Sequence, residues 1–318
     1  MRVMTWNLWW RFGPFEQRLP AIIDTIRSVD PDIVCVQEVW SREVQSREVQ
    51  SREVQSGEVQ SGEVESGEVQ SREVQSREVE SGEDCDDGDD RRDVADELAA
   101  ALGMHVVRTD PMMWNGESFG NAVLARWPVE RIASLPLPDA AGEPGYRRIA
   151  AASVATPWGA WPIASTHLDH RYDGSATRQS QVRRLLELGL EWRGDPASDL
   201  PLIVGADLNA VPDSDEVRLL TGRSAGVDGI VFSDVWEQVG NGPGHTWRAE
   251  NPYLPDSAWP NRRIDSLLVS WPRPNPVGNP TRVWNVGTGP VDVTEAGGAV
   301  VSVWPSDHAA VVADFVTP

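Results

Sequence analysis

Asp307 and His308 stand side by side near the end of the chain, in Trp304-Pro305-Ser306-Asp307-His308. Glu38 closes the run Ile33-Val34-Cys35-Val36-Gln37 near its beginning. A carboxylate beside a histidine can hold a hard cation and move a proton. A lone Glu at a strand end suits Mg²⁺, which keeps several waters and takes one or two protein carboxylates. Thr5-Trp6-Asn7, Ser165-Thr166-His167-Leu168 and Gly205-Ala206-Asp207-Leu208-Asn209 share this grammar of an apolar run ending in acid, amide or histidine; Arg263-Ile264-Asp265 opens such a run instead. Taken singly, Asp and Asn at strand ends are ordinary turn formers, and a lone histidine is an ordinary structural residue. Six such clusters in one chain exceed what turns alone explain. Strand ends on one sheet edge converge in space, where active sites of sheet proteins collect.

The elements that must bring these residues together are legible from apolar periodicity. Strands are expected at 1–8, 33–37, 104–108, 121–126, 149–155, 160–166, 201–205, 264–269 and 309–315, with Thr156-Pro157-Trp158-Gly159 as a hairpin turn. Helices are expected at 16–29, stopped by Asp30-Pro31-Asp32, at 93–102, stopped by Gly103, and at 176–192, with Val182, Leu185, Leu186 and Leu190 inward. A shorter helix follows Pro212, capped by Asp213 or Ser214, and 271–303 reads as irregular with short strands. Many strands with few helices between them predict two packed sheets flanked by helices rather than an alternating parallel fold.

The pattern breaks between Ser41 and Glu80, where Ser-Arg-Glu-Val-Gln recurs eight times, with Gly for Arg in some copies and Glu for Gln in two. A period of five matches neither helix nor strand, and one Val per unit makes no continuous stripe. An acidic run, Glu83-Asp84-Cys85-Asp86-Asp87-Gly88-Asp89-Asp90, follows; it lacks the spacing of a calcium loop. Residues 41–90 carry 16 acids against 5 Arg, about half of the chain's net charge of −21. They are expected to be a solvated insert, disordered or weakly structured, interrupting one domain that spans 1–318. The acidic balance argues against broad non-specific binding to nucleic acid, though a bound metal can outweigh it locally at a phosphate. All 28 basic residues are Arg. Cys35 in an apolar strand and Cys85 in an acidic run are too sparse for a disulfide framework or a zinc site. With no signal-peptide pattern at Met1–Asn7 and no bilayer-length apolar run, a reduced cytoplasmic location and a monomer are expected.

The ordered set Trp6-Asn7, Gln37-Glu38, Gly120-Asn121-Ala122-Val123-Leu124, Thr166-His167-Leu168, Gly205-Ala206-Asp207-Leu208-Asn209, Arg263-Ile264-Asp265 and Ser306-Asp307-His308 resembles the endonuclease/exonuclease/phosphatase superfamily, the deoxyribonuclease I-like metal-dependent phosphoesterases. The resemblance covers 1–40 and roughly 93–316, and the repeat has no counterpart in it. It implies an α+β fold, a four-layer αββα sandwich of two mixed sheets, and Mg²⁺-dependent hydrolysis, with Mn²⁺ as a substitute ion. It further implies Glu38 as the principal metal ligand, with Asn7 and Asp307 near the same ion. His308 would lie beside the scissile phosphate with Asp265 as its partner. Asp207 would orient or deprotonate the attacking water, or serve the leaving group, and Asn209 would donate to a phosphate oxygen. His167 matches the second histidine of the deoxyribonuclease I branch, and Asn121 stands where that branch has a Glu touching this histidine.

In-line attack on a phosphoester needs a base for the water, an acid or metal for the leaving oxygen, and donors for the equatorial oxygens. The residues above supply each. The substrate expected first is nucleic acid; a lipid head group or a small molecule such as an inositol phosphate is the alternative, and a non-catalytic binding module is the weakest reading. Arg147 and Arg148 could contact phosphate or cap a strand edge; Trp9, Trp10 and Trp114 could stack on a base or sugar or pack a groove wall.

Overall fold

A computed structural model describes residues 1–42, 92–110, 112–114, 117–254, 259 and 261–318, without the side chain of Trp114. In chain order its elements are β1 (Arg2–Asn7), α1 (Phe15–Val29), β2 (Ile33–Arg42), β3 (Arg92–Asp93), α2 (Val94–Leu102), β4 (His105–Arg108), β5 (Met112–Trp114) and β6 (Glu117–Ala125). Then come β7 (Val129–Pro138), β8 (Pro144–Thr156), β9 (Gly159–His167), α3 (Ser175–Trp192), β10 (Ile203–Asp207), α4 (Asp215–Leu220), β11 (Val231–Asp234) and α5 (Val235–Val239). The chain closes with β12 (Asp265–Trp271), β13 (Pro280–Val286), β14 (Val291–Thr294), β15 (Val300–Val303) and β16 (Ala310–Phe315).

Two mixed sheets form the body. The first runs β13-β16-β1-β2-β6-β4, with β3 added to β2 and β5 to β6; the second runs β11-β12-β10-β9-β8-β7. Each has a parallel pair near its centre, β1 with β2 and β9 with β10. The buried side chains sort into layers. Met4, Trp6, Val34 and Val36 pack with Ile22 and Ile26 of α1 and Leu98 of α2. Val3, Cys35, Val123 and Val311 face Ala152, Ile163, Ile203 and Leu267 across the gap between the sheets. Leu185 and Leu186 of α3 and Val217 of α4 cover Val204 and Leu268 on the far side. The order is helix, sheet, sheet, helix, as expected. Strands buried on both faces need apolar residues throughout, which is why β2 reads Ile-Val-Cys-Val with no polar alternation. Gly205 has a packing reason: a Cβ there would collide with Cys35 and Thr5 of the opposing sheet.

Three points depart from expectation. The strands β7 and β11 were not foreseen, and β13 falls in the stretch read only as irregular with short strands; all three lie at sheet edges. An edge strand needs no two-faced apolar run and tolerates the Pro136 and Pro138 of β7, so its periodicity is weak. Leu190 points outward, 39% exposed, while Leu188, Gly189 and Trp192 turn inward. Gly189 takes the inward place and lets α3 lie close on Ile230 and Phe232. Finally, β2 runs into the repeat: Ser41 and Arg42, its first two residues, pair with Asp93 and Arg92. The rest of the expected insert, residues 43–90, lies outside the described residues.

Candidate active site

The ends of β1, β9 and β10, the bulged middle of β2 and the turn before β16 converge on one cavity of about 660 Å³, with the start of β12 behind it where Asp265 meets His308. The apolar gap between the sheets becomes polar just below it. Gln37 Nε2 donates to Ser165 Oγ at 3.0 Å and to Thr5 Oγ1 at 3.2 Å, and Ser165 Oγ donates to the Val36 carbonyl. These bonds tie the two sheets together where the catalytic candidates leave them.

Glu38 reaches the cavity through a defect. The β2–β6 register shifts between Val36 and Val39, and Glu38 takes φ +52°. Such a bulge re-aims a side chain that regular pleating would point into a layer. Trp9, Trp10 and Asn209 also have positive φ. A left-handed non-glycine residue costs about 1–2 kcal/mol, and here four of them gather around one cavity.

The residues expected to do chemistry are brought within contact of one another. His308 Nδ1 lies 2.8 Å from Asp265 Oδ2, and the imidazole Nε2 lies 3.9 Å from Asp307 Oδ1. Trp247 packs its ring edge-on to His308, with centroids 4.9 Å apart. Asn7 Nδ2 donates to Asp207 Oδ2 at 2.8 Å, and the Asn209 backbone N–H donates to Asp207 Oδ1 at 2.9 Å. Ser306 Oγ donates to the Asn7 carbonyl at 2.7 Å, and Trp6 Nε1 to the His308 carbonyl at 2.9 Å, which locks the end of β1 against the Ser306–His308 turn.

His167 is held between a cation and a carboxylate. Arg147 Nη1 lies 2.8 Å from His167 Nδ1. On the other side, His167 Nε2 lies 3.2 Å from Asp207 Oδ2 and 2.8 Å from Asn209 Nδ2, which also donates to the Leu168 carbonyl at 3.2 Å. Asn121, expected beside this histidine and as a substrate contact, is buried and donates to the Arg148 carbonyl at 2.7 Å, strapping β6 to β8; among the described residues it has no hydrogen bond to His167 and does not line the cavity. Arg148 turns to Asp110 at 2.6 Å and is likewise spent.

Electrostatics divide the roles. Burial raises the proton affinity of Glu38, opposed by Arg147 and His308. Burial pushes Asp307 up to about 7; Glu38 adds to this, and His308 and Arg18 oppose it. Burial works against a charged His308, yet Asp265 and Asp307 hold its pKa well above 6.5. Burial and the Arg147 charge drive His167 well below 6.5. Burial also works against the Asp207 carboxylate, but the facing histidines and the hydrogen bonds from Asn7 and Asn209 keep it below the ordinary range.

Two sets of ligand atoms could attract a cation. Asp207, Asp265 and His308 place one ligand atom each within 4.8 Å of one another. The Nδ1 of His308 is already engaged by Asp265, so this trio is better built to hold a proton. Glu38 and Asp307 are two incompletely compensated carboxylates on the same cavity, with Asn7 beside them. Hard oxygen donors with excess negative charge fit Mg²⁺ or Mn²⁺.

Sequence reasoning missed Arg18. It is fully buried in α1, and its guanidinium donates to the carbonyls of Leu8, Trp9, Trp10, Phe12 and Pro305 at 2.8–3.0 Å. This clamp holds the two left-handed tryptophans and joins their loop to the Asp307 turn. The signal was present: Arg18 lies in phase with Phe15, Leu19 and Ile22, a charge on the apolar stripe of a helix.

Two facing sheets, flanked by helices and carrying an Asp–His pair and clustered carboxylates at one rim, define a deoxyribonuclease I-like hydrolytic fold. The chain belongs to the Endonuclease/Exonuclease/phosphatase family, which it matches over residues 4–308. Members of that family are phosphoester hydrolases that generally use a divalent metal. The fold is similar to that of D. rerio TDP2 complexed with single-strand DNA product, at 15% identity and TM-score 0.63, covering 100% of this chain and 99% of that one. It is similar to a mannosyl-6-phosphatase of Bacteroides thetaiotaomicron, at 17% identity and TM-score 0.62, covering 99% of each chain. The human Nocturnin catalytic domain with bound sulfate is 18% identical with TM-score 0.61, covering 100% of this chain and 93% of that one. No curated protein matches the chain in sequence.

Proposed function

We propose that this protein hydrolyses a phosphoester by in-line attack of water, with Mg²⁺ or Mn²⁺ held by Glu38 and Asp307 beside Asn7. The observation that carries this reading is the His308–Asp265 pair, 2.8 Å apart, flanking the cavity that Glu38 and Asp307 also line. The bound ion would polarise a phosphoryl oxygen and offset charge that develops in the transition state. Asp207, kept ionised, accepts the proton of the attacking water. His308, kept protonated by Asp265, stabilises an equatorial oxygen or protonates the leaving group through Nε2. Neutral His167 packs against Asp207, with Nε2 3.2 Å from the carboxylate and Asn209 alongside, and so helps to orient it. Arg147 lies at the cavity, and its Nε has no hydrogen-bond partner among the described residues, which suits a phosphate oxygen.

A nucleic-acid phosphodiester is one substrate reading, in keeping with the neighbour that holds single-strand DNA product. A small phosphoester is the second. It is favoured because Arg147 is the one permanent cation among the described residues lining the cavity, where a polyanion would need several. Stripping metal with EDTA should abolish turnover of bis-p-nitrophenyl phosphate, and Mg²⁺ or Mn²⁺ should restore it. Glu38→Gln should raise the metal concentration needed while leaving the melting temperature close to wild type. Full activity in EDTA would sink the reading.

A further inference from the structure

The cavity has two unlike halves. One carries the carboxylates, amides and histidines just described. The other is apolar, formed by Trp9 and Phe12 from the loop after β1, Met112 and Met113 of β5, Phe119 of β6 and Tyr146 of β8. Phe12, Met113 and Tyr146 are 41%, 59% and 49% exposed, large side chains standing at the rim of a recess rather than in the core.

This wall is built, not incidental. Trp9 is held at φ +57° by Arg18, which takes its carbonyl at 3.0 Å and lies 4.8 Å from its ring. Tyr253 stacks on the Trp9 ring with centroids 4.3 Å apart, and the Tyr253 hydroxyl donates to the Trp304 carbonyl. Backbone strain at a bulky aromatic persists only where its surroundings over-determine it. Across the recess, Arg147 lies over Tyr146 at 5.1 Å and Phe119 at 5.9 Å, so its guanidinium marks where the apolar wall meets the phosphate end. A cavity of about 660 Å³ is far larger than a phosphate group needs and matches a drug-sized ligand.

We propose that the substrate is a small phosphoester bearing an apolar organic group, which lies against Trp9, Phe12, Met112, Met113, Phe119 and Tyr146 while Arg147 takes one phosphate oxygen. The inference rests on the phosphoesterase reading and deepens it by naming the chemistry of the group attached to phosphorus. An aromatic ring and a short alkyl chain share that chemistry. A sugar or a nucleic-acid strand does not, since the wall offers few polar partners and no further permanent cation among its described residues. Burying an apolar group of this size is worth at least tenfold in selectivity, because even one methylene in a fitted pocket gives about 10-fold or more.

The test has a binding arm and a turnover arm. Binding of benzylphosphonate, hexylphosphonate and methylphosphonate to the full chain is measured by calorimetry, with Mg²⁺ present. Turnover is compared for methyl benzyl phosphate, methyl hexyl phosphate, dimethyl phosphate, a sugar phosphate and a short single-stranded oligonucleotide. The expected result is that benzyl or hexyl compounds bind and turn over at least about tenfold better than methyl ones. The benzyl-to-hexyl ratio then tells ring from chain. Trp9→Ala, and independently the rim variants Met113→Ser and Tyr146→Ser, should each shrink the apolar-to-methyl ratio several-fold. Those last two sit at exposed positions, so misfolding cannot imitate the result. Equal binding of methyl and benzyl phosphonates, or preference for the oligonucleotide, would overturn the proposal while leaving the phosphoesterase reading in place. Selective, variant-sensitive phosphonate binding without any turnover would uphold the apolar subsite and overturn the hydrolase reading instead.

Discussion

At the scale of single residues, the site is a matter of which group keeps its proton. Asp265 lies fully buried against His308 Nδ1, so the imidazole holds a charge that burial would otherwise remove. Asp207 stays ionised because four donors or cations face it. The two are tuned in opposite directions within one cavity, which is what separate acid and base roles require. His308→Ala should lower turnover about 100-fold or more, the usual scale for a positioned acid–base group. Asp265→Asn should impair the same step. The double variant should be scarcely slower than the slower single one, because the two act as a unit. Strictly multiplicative losses in a double-mutant cycle would mean they act separately.

At the scale of elements, α1 does more than cover a sheet. Its buried Arg18 satisfies five carbonyls that belong to two loops, and those loops carry Trp9 on one side and Asp307 on the other. Lysine has three donors and no planar fork, so Arg18→Lys leaves at least two of these carbonyls unpaired. An unsatisfied buried carbonyl costs about 1–3 kcal/mol. The variant should therefore lose about 2–5 kcal/mol of stability in denaturant unfolding. It should also lose turnover beyond what the unfolded fraction explains, as Asp307 and Trp9 shift together. A variant with native stability and native turnover would show that the clamp is ornamental. Helix α3 gives the contrasting case: its inward Gly189 is a packing choice, and no chemistry passes through it.

At the scale of the whole molecule, the repeat is an excursion from the strand that carries Glu38. It leaves after Arg42, which pairs with Arg92 as Ser41 pairs with Asp93. Arg42 and Arg92 both lie over the Trp40 ring, at 5.7 and 5.4 Å. Two residues directly opposed in an antiparallel pair can be joined by a two-residue Asn-Gly turn. Replacing residues 43–91 with Asn-Gly should thus leave the melting temperature within a few degrees of wild type and retain metal-dependent activity on a small diester. Loop closure supports this, since each doubling of loop length costs only about 0.6 kcal/mol. The excised stretch is strongly acidic, so activity on a long polyanion should rise on deletion, and added salt should narrow the gain. Unfolding, or loss of small-diester activity, would show the insert to be structural or catalytic. The cut differs from one read off the repeat alone, which would start at Ser41 and remove half of the closing pair.

What the sequence determined by itself was the layer order and the identity of the polar candidates. Strands buried on both faces must be apolar throughout, so β1, β2, β9, β10, β12 and β16 announced themselves, as did the acids, amides and histidines at their ends. Edge strands carry no such pattern, which is why β7 and β11 came only with the structure and β13 was legible only as part of an irregular stretch with short strands. Contacts between distant segments were equally invisible. That Arg147 rather than the residue at 121 meets His167 depends on how β8 lies beside β9, a matter of register and not of local spacing. The apolar half of the cavity is assembled from four separate segments, each unremarkable alone. Periodicity reports the face on which a residue is buried; only tertiary packing decides which residues of distant strands that face will meet.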